Sequence, residues 1–208
     1  MIEKRVAKGL LECKAVTLSA KEPYTWASGL KSPIYCDNRI TLSYPELRST
    51  IAEGLAALIK TQYPGVEALV GVATGGLPQA ALVADILGLP LAYVRPKAKG
   101  HGRSKMIEGY LEKGSKVVMI EDLISTGGSV LNAVEAVREE GMDVLAVVAV
   151  FTYELDKATV NFNNHNVELK VLSNYSALIE VAVEEDYITS QEQELLKTWR
   201  NDPENYSV

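Results

Sequence analysis

The chain has 208 residues, of which 47% are hydrophobic and 23% charged, a composition that suits one folded domain and excludes a disordered chain. Its 27 acidic and 21 basic residues give a net charge of -6. Proteins that neutralise nucleic-acid phosphates usually carry the opposite balance, so nucleic acid is not an expected partner. The two cysteines, Cys13 and Cys36, and two histidines favour neither a disulfide scaffold nor a structural zinc site.

The N-terminal segment and the apolar runs predict neither export nor membrane insertion. Residues 1–12 carry charges throughout and contain no signal-peptide core. The longest aliphatic run, Val144 to Phe151, is far shorter than the roughly 20 residues of a membrane span. We therefore expect a cytoplasmic protein with no membrane partner.

The middle of the chain predicts alternating helices and strands. Ser43 and Glu46 have the spacing of a capping box and predict a helix that ends near Tyr63. The predicted buried strands are residues 68–73, 89–94, 116–120 and 144–151. The predicted helices between them run from Pro78 to Gly88 and from the turn at 125–128 to Gly141. This order predicts an α/β fold, a parallel sheet covered by helices on both faces, with its ligand beyond the carboxyl ends of the strands.

The outer segments predict a small addition to this core. An alternating strand is predicted at Val167–Val171, followed by two helices, the second opened by Thr189 with Glu192. We expect the outer segments to pack together as a hood on one domain. The expected boundaries are residues 1–208 for the single domain, about 43–155 for its core, and about 1–42 and 156–208 for the hood.

The segment 117–129 carries the most chemical information. An apolar strand delivers two adjacent carboxylates, Glu121 and Asp122, and a turn of small residues leads into a helix. Gly127 and Gly128 let the backbone close on an anion, while hydroxyls and helix N-terminal N–H groups can donate to a phosphate. The carboxylates suit sugar hydroxyls or a magnesium ion held through water. The alternative is a turn that only caps the helix.

Residues 95–105 form a basic segment. Five permanent cations and His101 lie there, and no acid follows until Glu108. Its glycines and lack of apolar periodicity predict a loop, for which an exposed solubilising segment is one interpretation. The position after a strand favours a lid over a polyphosphate, with His101 able to move a proton near neutral pH.

Three motifs resemble the type I phosphoribosyltransferase family. The acid pair followed by Ser-Thr-Gly-Gly-Ser is similar to that family's phosphoribosyl-diphosphate signature. The Arg-x-x-x-Lys-x-His-Gly pattern from Arg95, and the Ser-Gly-x-Lys-Ser-Pro-x-Tyr element at 28–35, resemble the family's orotate-using members. Without the resemblance, the residues of the element at 28–35 predict only a surface hairpin. The resemblance implies a parallel α/β core with a hood, and transfer of the phosphoribosyl group from 5-phosphoribosyl 1-diphosphate to orotate in pyrimidine biosynthesis.

The resemblance also implies roles for individual residues. The implied catalytic residues are Lys99, His101 and Arg95. The implied donor-binding residues are Arg95, Lys99, His101, Glu121, Asp122, Leu123, Ile124, Ser125, Thr126, Gly127, Gly128, Ser129, Thr74 and Gly75. The implied orotate-binding residues are Ser125, Tyr35, Cys36 and Lys31. Magnesium is expected near the acid pair, held mainly by the donor and water, and a homodimer is expected to share the 95–105 loop between subunits.

Some positions depart from the family pattern, and two other functions remain open. Ala27 stands where enterobacterial members have a lysine, and residues 151–153 lack an arginine that other members place on orotate. A purine-base phosphoribosyltransferase would share segment 117–129, and so would a non-catalytic regulator that senses the donor. The element at 28–35 disfavours the first, and the net charge of -6 disfavours a nucleic-acid-binding regulator.

Overall fold

The computed structural model describes residues 1–26, 29–95 and 106–206. The strands are β1 (Val16–Leu18), β2 (Tyr24–Thr25), β3 (Lys31–Ser32), β4 (Ile34–Cys36), β5 (Ala68–Val72), β6 (Leu91–Val94), β7 (Ile107–Glu108), β8 (Lys116–Ile124), β9 (Asp143–Thr152) and β10 (Glu168–Asn174). The α-helices are α1 (Ile2–Glu12), α2 (Pro45–Gln62), α3 (Gly76–Leu87), α4 (Gly128–Glu139), α5 (Asp156–Asn164), α6 (Tyr175–Glu184) and α7 (Ser190–Asn201). Short 3₁₀ helices lie at Asn38–Ser43 and Pro203–Asn205.

Within the described residues, the main sheet has six strands in the order β10-β9-β8-β5-β6-β7. All neighbours are parallel except β7, which pairs antiparallel with β6 at the edge. Every residue of β5 is buried, as expected for a strand covered on both faces. The predicted parallel α/β sheet is confirmed.

Two apolar layers cover this sheet. Val118 and Ile120 of β8 point into the layer that contains α2 and α3. Val117 and Met119 alternate with them and pack in the layer that contains α4. Alternation along a strand sends successive side chains to opposite faces, so a continuous apolar run serves both layers.

The strand predicted at Val167–Val171 belongs to the main sheet and not to the hood. It runs from Glu168 to Asn174 and pairs parallel with β9, with Ser173 opposite Phe151. Helix α5 is therefore a crossover between two parallel strands, in continuation of the preceding strand–helix units. The alternating sequence of β10, which suggested an element separate from the core, is typical of an edge strand that is only partly buried.

Helix starts differ from the predictions where proline is close. Helix α2 begins at Pro45 with Tyr44 as its N-cap, and Ser43 ends the preceding 3₁₀ helix, so the predicted capping box at Ser43 is wrong. Proline suits the first helical position and disfavours helical geometry in the residue before it. The predicted box at Thr189 is confirmed, since Glu192 N–H donates to Thr189 Oγ1 at 3.2 Å and Thr189 N–H to Glu192 Oε2 at 2.9 Å. Helix α3 begins at Gly76, two residues before Pro78.

The terminal segments contact each other above one end of the sheet. The buried Trp199 of α7 donates its indole N–H to the carbonyl of Lys31 at 3.0 Å. Tyr206 donates its hydroxyl to the carbonyl of Ala20 at 3.0 Å, and α1 packs against α6 and β10. Among the helices described, none has the length and apolar character required to span a bilayer.

Candidate functional site

Polar groups converge at the carboxyl edge of the sheet. The loop 73–75 follows β5, Arg95 follows β6, and Tyr153 follows β9. Strand β8 is longer than predicted and continues to Ile124, so Glu121 lies in the paired part of the strand opposite Ala149. Because β5 and β8 are parallel neighbours, the loop after β5 meets the acid pair.

Within the acid pair, Glu121 is buried and Asp122 is half-buried. The Glu121 Oε1 atom accepts a hydrogen bond from the Asp122 N–H at 3.0 Å. Burial raises the pKa of the Glu121 carboxyl well above its usual range, and the adjacent Asp122 carboxylate adds to this. The Glu121 carboxyl is therefore biased towards its protonated form, in which it can donate a hydrogen bond that an ionised carboxylate cannot.

Glycines permit the close contact between α3 and β8. A Cβ atom at Gly75 would overlap the Asp122 carboxylate. One at Gly76 would overlap the Ile120 carbonyl oxygen and lie 2.8 Å from the Glu121 Cα atom. The start of α3 is thus in direct backbone contact with the strand that carries the acid pair, and Thr74 is exposed beside it.

The turn 125–129 leads from β8 into α4. Gly127 is the N-cap of that helix with φ +79°, a left-handed conformation that favours glycine. Thr126 is half-buried and Ser129 is exposed, so hydroxyls and the first N–H groups of α4 are present together. The turn has the donors for an anion that the sequence predicted.

A small aromatic pocket of about 260 Å³ adjoins this turn. Its lining residues are Thr25, Trp26, Tyr35, Cys36, Leu123, Ser125 and Tyr153. The Trp26 and Tyr153 ring centroids are 4.9 Å apart, and Trp26 donates its indole N–H to the Ile34 carbonyl at 3.1 Å. Ser125 belongs to both the turn and the pocket wall, so a flat ring in the pocket would lie beside an anion on the turn.

Lys31 lies just outside this pocket. Its Nζ atom donates to Thr25 Oγ1 at 2.6 Å, and Thr25 is a wall residue. Lys31 also lines a larger cleft of about 700 Å³ that shares Trp26 and Ser125 with the pocket. The structure therefore brings Tyr35, Cys36 and Ser125 together and places the Lys31 cation at the edge of the pocket.

The predicted basic loop is described only at its first residue. The Arg95 Nε atom lies 3.3 Å from Glu108 Oε1. Among the described residues, Nε and Nη2 of Arg95 are buried and have no hydrogen-bond acceptor. A cleft of about 80 Å³ places Arg95 near Ser129 of the turn. Lys99 and His101 lie outside the described residues.

One residue that the sequence analysis missed is Asn38. It is buried, and its Nδ2 atom donates to the Asp122 carbonyl at 2.6 Å, while its Oδ1 atom accepts from the Cys36 thiol at 3.4 Å. The Arg39 guanidinium pairs with Asp37 at 2.7 Å and lowers the pKa of that carboxyl. Asn38 joins the pocket wall to the acid pair across 84 sequence positions, for which no local pattern exists.

The described residues contain no group of three or more His, Cys, Asp or Glu side chains placed to hold a metal ion. Two carboxyl groups are too few ligands for a site built from protein alone. They do fit a magnesium ion that arrives with phosphate oxygens and water as its main ligands, since Asp122 is half-buried and available.

Comparisons with known proteins support one family. A family model for the phosphoribosyl transferase domain matches residues 44–186. An orotate phosphoribosyltransferase of Enterococcus faecalis is 58% identical over 205 residues, which are 99% of this chain and 98% of that protein. The crystal structure of orotate phosphoribosyltransferase from Aeropyrum pernix has a TM-score of 0.76 at 29% identity, with 88% of this chain and 99% of that chain covered. The UMP synthase of Leishmania donovani has a TM-score of 0.80 at 27% identity, and the match covers 95% of this chain and 42% of that longer chain.

We predict that Gly76→Ala destabilises the protein by about 1–3 kcal/mol, because the new methyl group overlaps backbone atoms of β8. Gly128→Ala is the matched control, since Gly128 is also the first residue of its helix and, among the described residues, a Cβ there would meet only Thr126 Oγ1 at 3.9 Å. Urea unfolding of both variants measures the difference. Equal stability of the two would contradict the close contact.

Proposed function

The chain belongs to the phosphoribosyltransferase family, among its orotate phosphoribosyltransferases, and on this premise we propose how its residues divide the reaction. It transfers the 5-phosphoribosyl group from 5-phosphoribosyl 1-diphosphate to orotate, and orotidine 5'-phosphate and diphosphate are the products. The 58% identity to an orotate phosphoribosyltransferase, which extends over 99% of this chain, favours this reaction over transfer to a purine base and over a regulatory function. One observation supports this assignment of residues: Ser125 is part of the turn 125–129 and also lines the aromatic pocket.

The donor lies along the carboxyl edge of the sheet. Residues 125–129 hold its 5-phosphate with N–H and hydroxyl donors. Protonated Glu121 donates to one ribose hydroxyl, and Asp122 accepts from another. Thr74 and Gly75 face the diphosphate through their backbone, because the loop 73–75 touches Asp122.

Catalysis follows from position and charge. The bond between the anomeric carbon and the diphosphate breaks, and positive charge develops on the ribose ring. The orotate ring nitrogen bonds to the opposite face of that carbon, and the proton of this nitrogen passes to the released diphosphate. Among the described residues assigned to the ribose, Asp122 has a negative carboxylate that can stabilise this positive charge. No side chain needs to take a proton from carbon, so most of the acceleration comes from holding donor and base in contact.

The basic loop acts on the leaving diphosphate. Arg95 lies at the end of β6, where its Nε atom is 3.3 Å from Glu108 Oε1 and its buried Nη2 atom has no hydrogen-bond acceptor among the described residues, so the guanidinium can also bind an anion. We assign Lys99 and His101 to the same task from the resemblance. Magnesium held by the donor and water, beside Glu121 and Asp122, neutralises diphosphate charge when bound. The terminal segments, as a hood, exclude water from the pocket and protect the donor from hydrolysis.

Orotate occupies the aromatic pocket. Backbone groups of Tyr35 and Cys36, together with the Ser125 hydroxyl, face its ring edge. The described wall residues carry no charge, yet orotate is a carboxylate, and burial of an unpaired charge is costly. Lys31, bonded to the wall residue Thr25, supplies the opposite charge in place of the lysine absent at Ala27.

The reaction is tested by ultraviolet absorbance with purified protein, donor and magnesium. We expect loss of orotate that requires both donor and magnesium, and no loss of adenine, hypoxanthine or uracil in parallel assays. Consumption of a purine instead would overturn the assignment of the pocket. Donor binding without turnover of any base would indicate a regulator.

We expect Lys31→Met to raise the KM for orotate about tenfold, since the carboxylate loses its counter-charge while the side chain keeps its length. The KM for the donor should stay within twofold, and Lys31→Arg should retain most of the orotate affinity. Lys157→Met is the matched control, because Lys157 lines the larger cleft on its α5 side. Steady-state kinetics on all three variants decide the question, and an unchanged orotate KM in Lys31→Met removes Lys31 from the site.

The shared loop is tested with mixed dimers. Large apolar side chains at Tyr35, Ile40 and Tyr44 are exposed near the site and favour contact with a second copy. If the loop of one subunit serves the other, co-refolding inactive Lys99→Ala with inactive Asp122→Asn creates one intact site per mixed dimer, and about a quarter of the parental activity returns. No recovery in mixed dimers, verified by differential tagging, means that the loop serves its own subunit.

A further inference from the structure

Helix α5 contacts the phosphate-binding turn through two adjacent residues. The Asn161 side-chain amide donates to the Thr126 carbonyl at 2.8 Å. The Phe162 ring packs so closely beneath Gly127 that a Cβ atom there would lie 2.6 Å from its Cε2 atom. Neither residue belongs to the signature of 117–129, and both are more than 30 positions beyond the turn in the sequence.

The element that carries these residues is held rigidly. Arg138, near the end of α4, donates to the His165 carbonyl at 2.7 Å and to the Asn166 carbonyl at 3.1 Å. The Asn161 carbonyl accepts from the His165 N–H at 3.2 Å and lies 2.8 Å from His165 Nδ1. Phe162 is buried in the apolar layer that contains Leu131 of α4. Helix α5 is therefore attached to α4 at both ends of their contact and gives Asn161 a defined position.

We propose that Asn161 is a positioning residue that orients the Thr126–Gly127 peptide so that its N–H faces the 5-phosphate of the donor. In a trans peptide the C=O and N–H groups point in opposite directions, and this peptide is trans. Since the Asn161 amide holds the Thr126 carbonyl on the α5 side, the Gly127 N–H points away from α5. The inference rests on the proposed function, in which residues 125–129 bind that phosphate.

The turn needs such a restraint because glycine leaves the peptide free to rotate. Gly127 has no Cβ atom, so both signs of φ are open to it and steric contacts do not choose between two peptide orientations. In the rotated orientation the Thr126 carbonyl would face the phosphate. The partial negative charge on the carbonyl oxygen would then repel the phosphate. One amide N–H on a rigid helix selects the orientation that binds.

Two substitutions test the hydrogen-bonding N–H group of Asn161 itself. Asn161→Asp keeps the shape of the side chain and removes the N–H donor, and Asn161→Ala removes the whole amide. We expect both to raise the KM for 5-phosphoribosyl 1-diphosphate about fivefold, in proportion to one lost hydrogen bond. The Ki of ribose 5-phosphate, a competitor that carries the same phosphate, should rise in parallel, while the KM for orotate stays within twofold. Asn164→Ala, an exposed asparagine of the same helix, is the matched control.

Thr126→Val separates this inference from the function on which it rests, because Thr126 is placed in contact with the phosphate itself. If Thr126→Val raises the donor KM and both Asn161 variants stay within twofold of the parent, the positioning role of Asn161 is wrong. If none of the three variants changes the donor KM or the ribose 5-phosphate Ki, the phosphate assignment of the turn is wrong as well. A fall in kcat that only follows the folded fraction, with every KM unchanged, assigns Asn161 a structural role and also overturns the proposal.

Discussion

The site depends on one close backbone contact, between the start of α3 and the end of β8. Gly75 and Gly76 have no side chain to separate the loop after β5 from the acid pair. The parallel register, with Gly71 opposite Ile120, brings the two strand ends to the same level. The groups assigned to the diphosphate and to the ribose thereby become neighbours across adjacent strands. A donor that carries both groups on one carbon framework can span them without any rearrangement of the sheet.

That same contact creates an electrostatic problem for the proposed site, since a carboxylate lies beside the loop that we assign to the diphosphate. Two ionised carboxylates in this position would repel the donor. Burial of Glu121 and the adjacent Asp122 carboxylate raise the pKa of Glu121 and favour its protonated form, which reduces the negative charge of the pair. Arg95 contributes the opposite sign at the end of β6, in a chain whose net charge is -6. In the proposed site the donor is thus recognised by a local charge arrangement that differs from the average of the protein.

Sequence reasoning succeeded where the cause of a structure is local. Apolar runs located β5, β8 and β9, and the acid pair with its glycine turn marked the junction of β8 and α4, to which we assign the donor phosphate. It failed for the last four residues of β8 and for the place of β10, which was predicted as a strand but not as part of the main sheet, because pairing with β9 decides both. Asn38 and Asn161 were missed because their contacts, too, are made with distant parts of the chain. Each donates an amide to a carbonyl of the signature segment from a distant part of the chain, and neither has a periodicity or a neighbour that marks it.

The base pocket differs from the donor site in how it is assembled. The donor groups at 121–129 are contiguous in sequence, whereas the pocket combines Tyr35 and Trp26 from the N-terminal segment with Tyr153 after β9. Trp199 of α7 packs edge-on against Trp26 and holds the Lys31 carbonyl, so the C-terminal helix supports the wall that faces the base. If the assignments of the pocket and the sheet edge hold, changes in the terminal segments alter which base is accepted while the sheet edge continues to bind the same donor. This separation explains why the residues alone identified the donor chemistry, while the base was identified only through the resemblance at 28–35 and the close relatives.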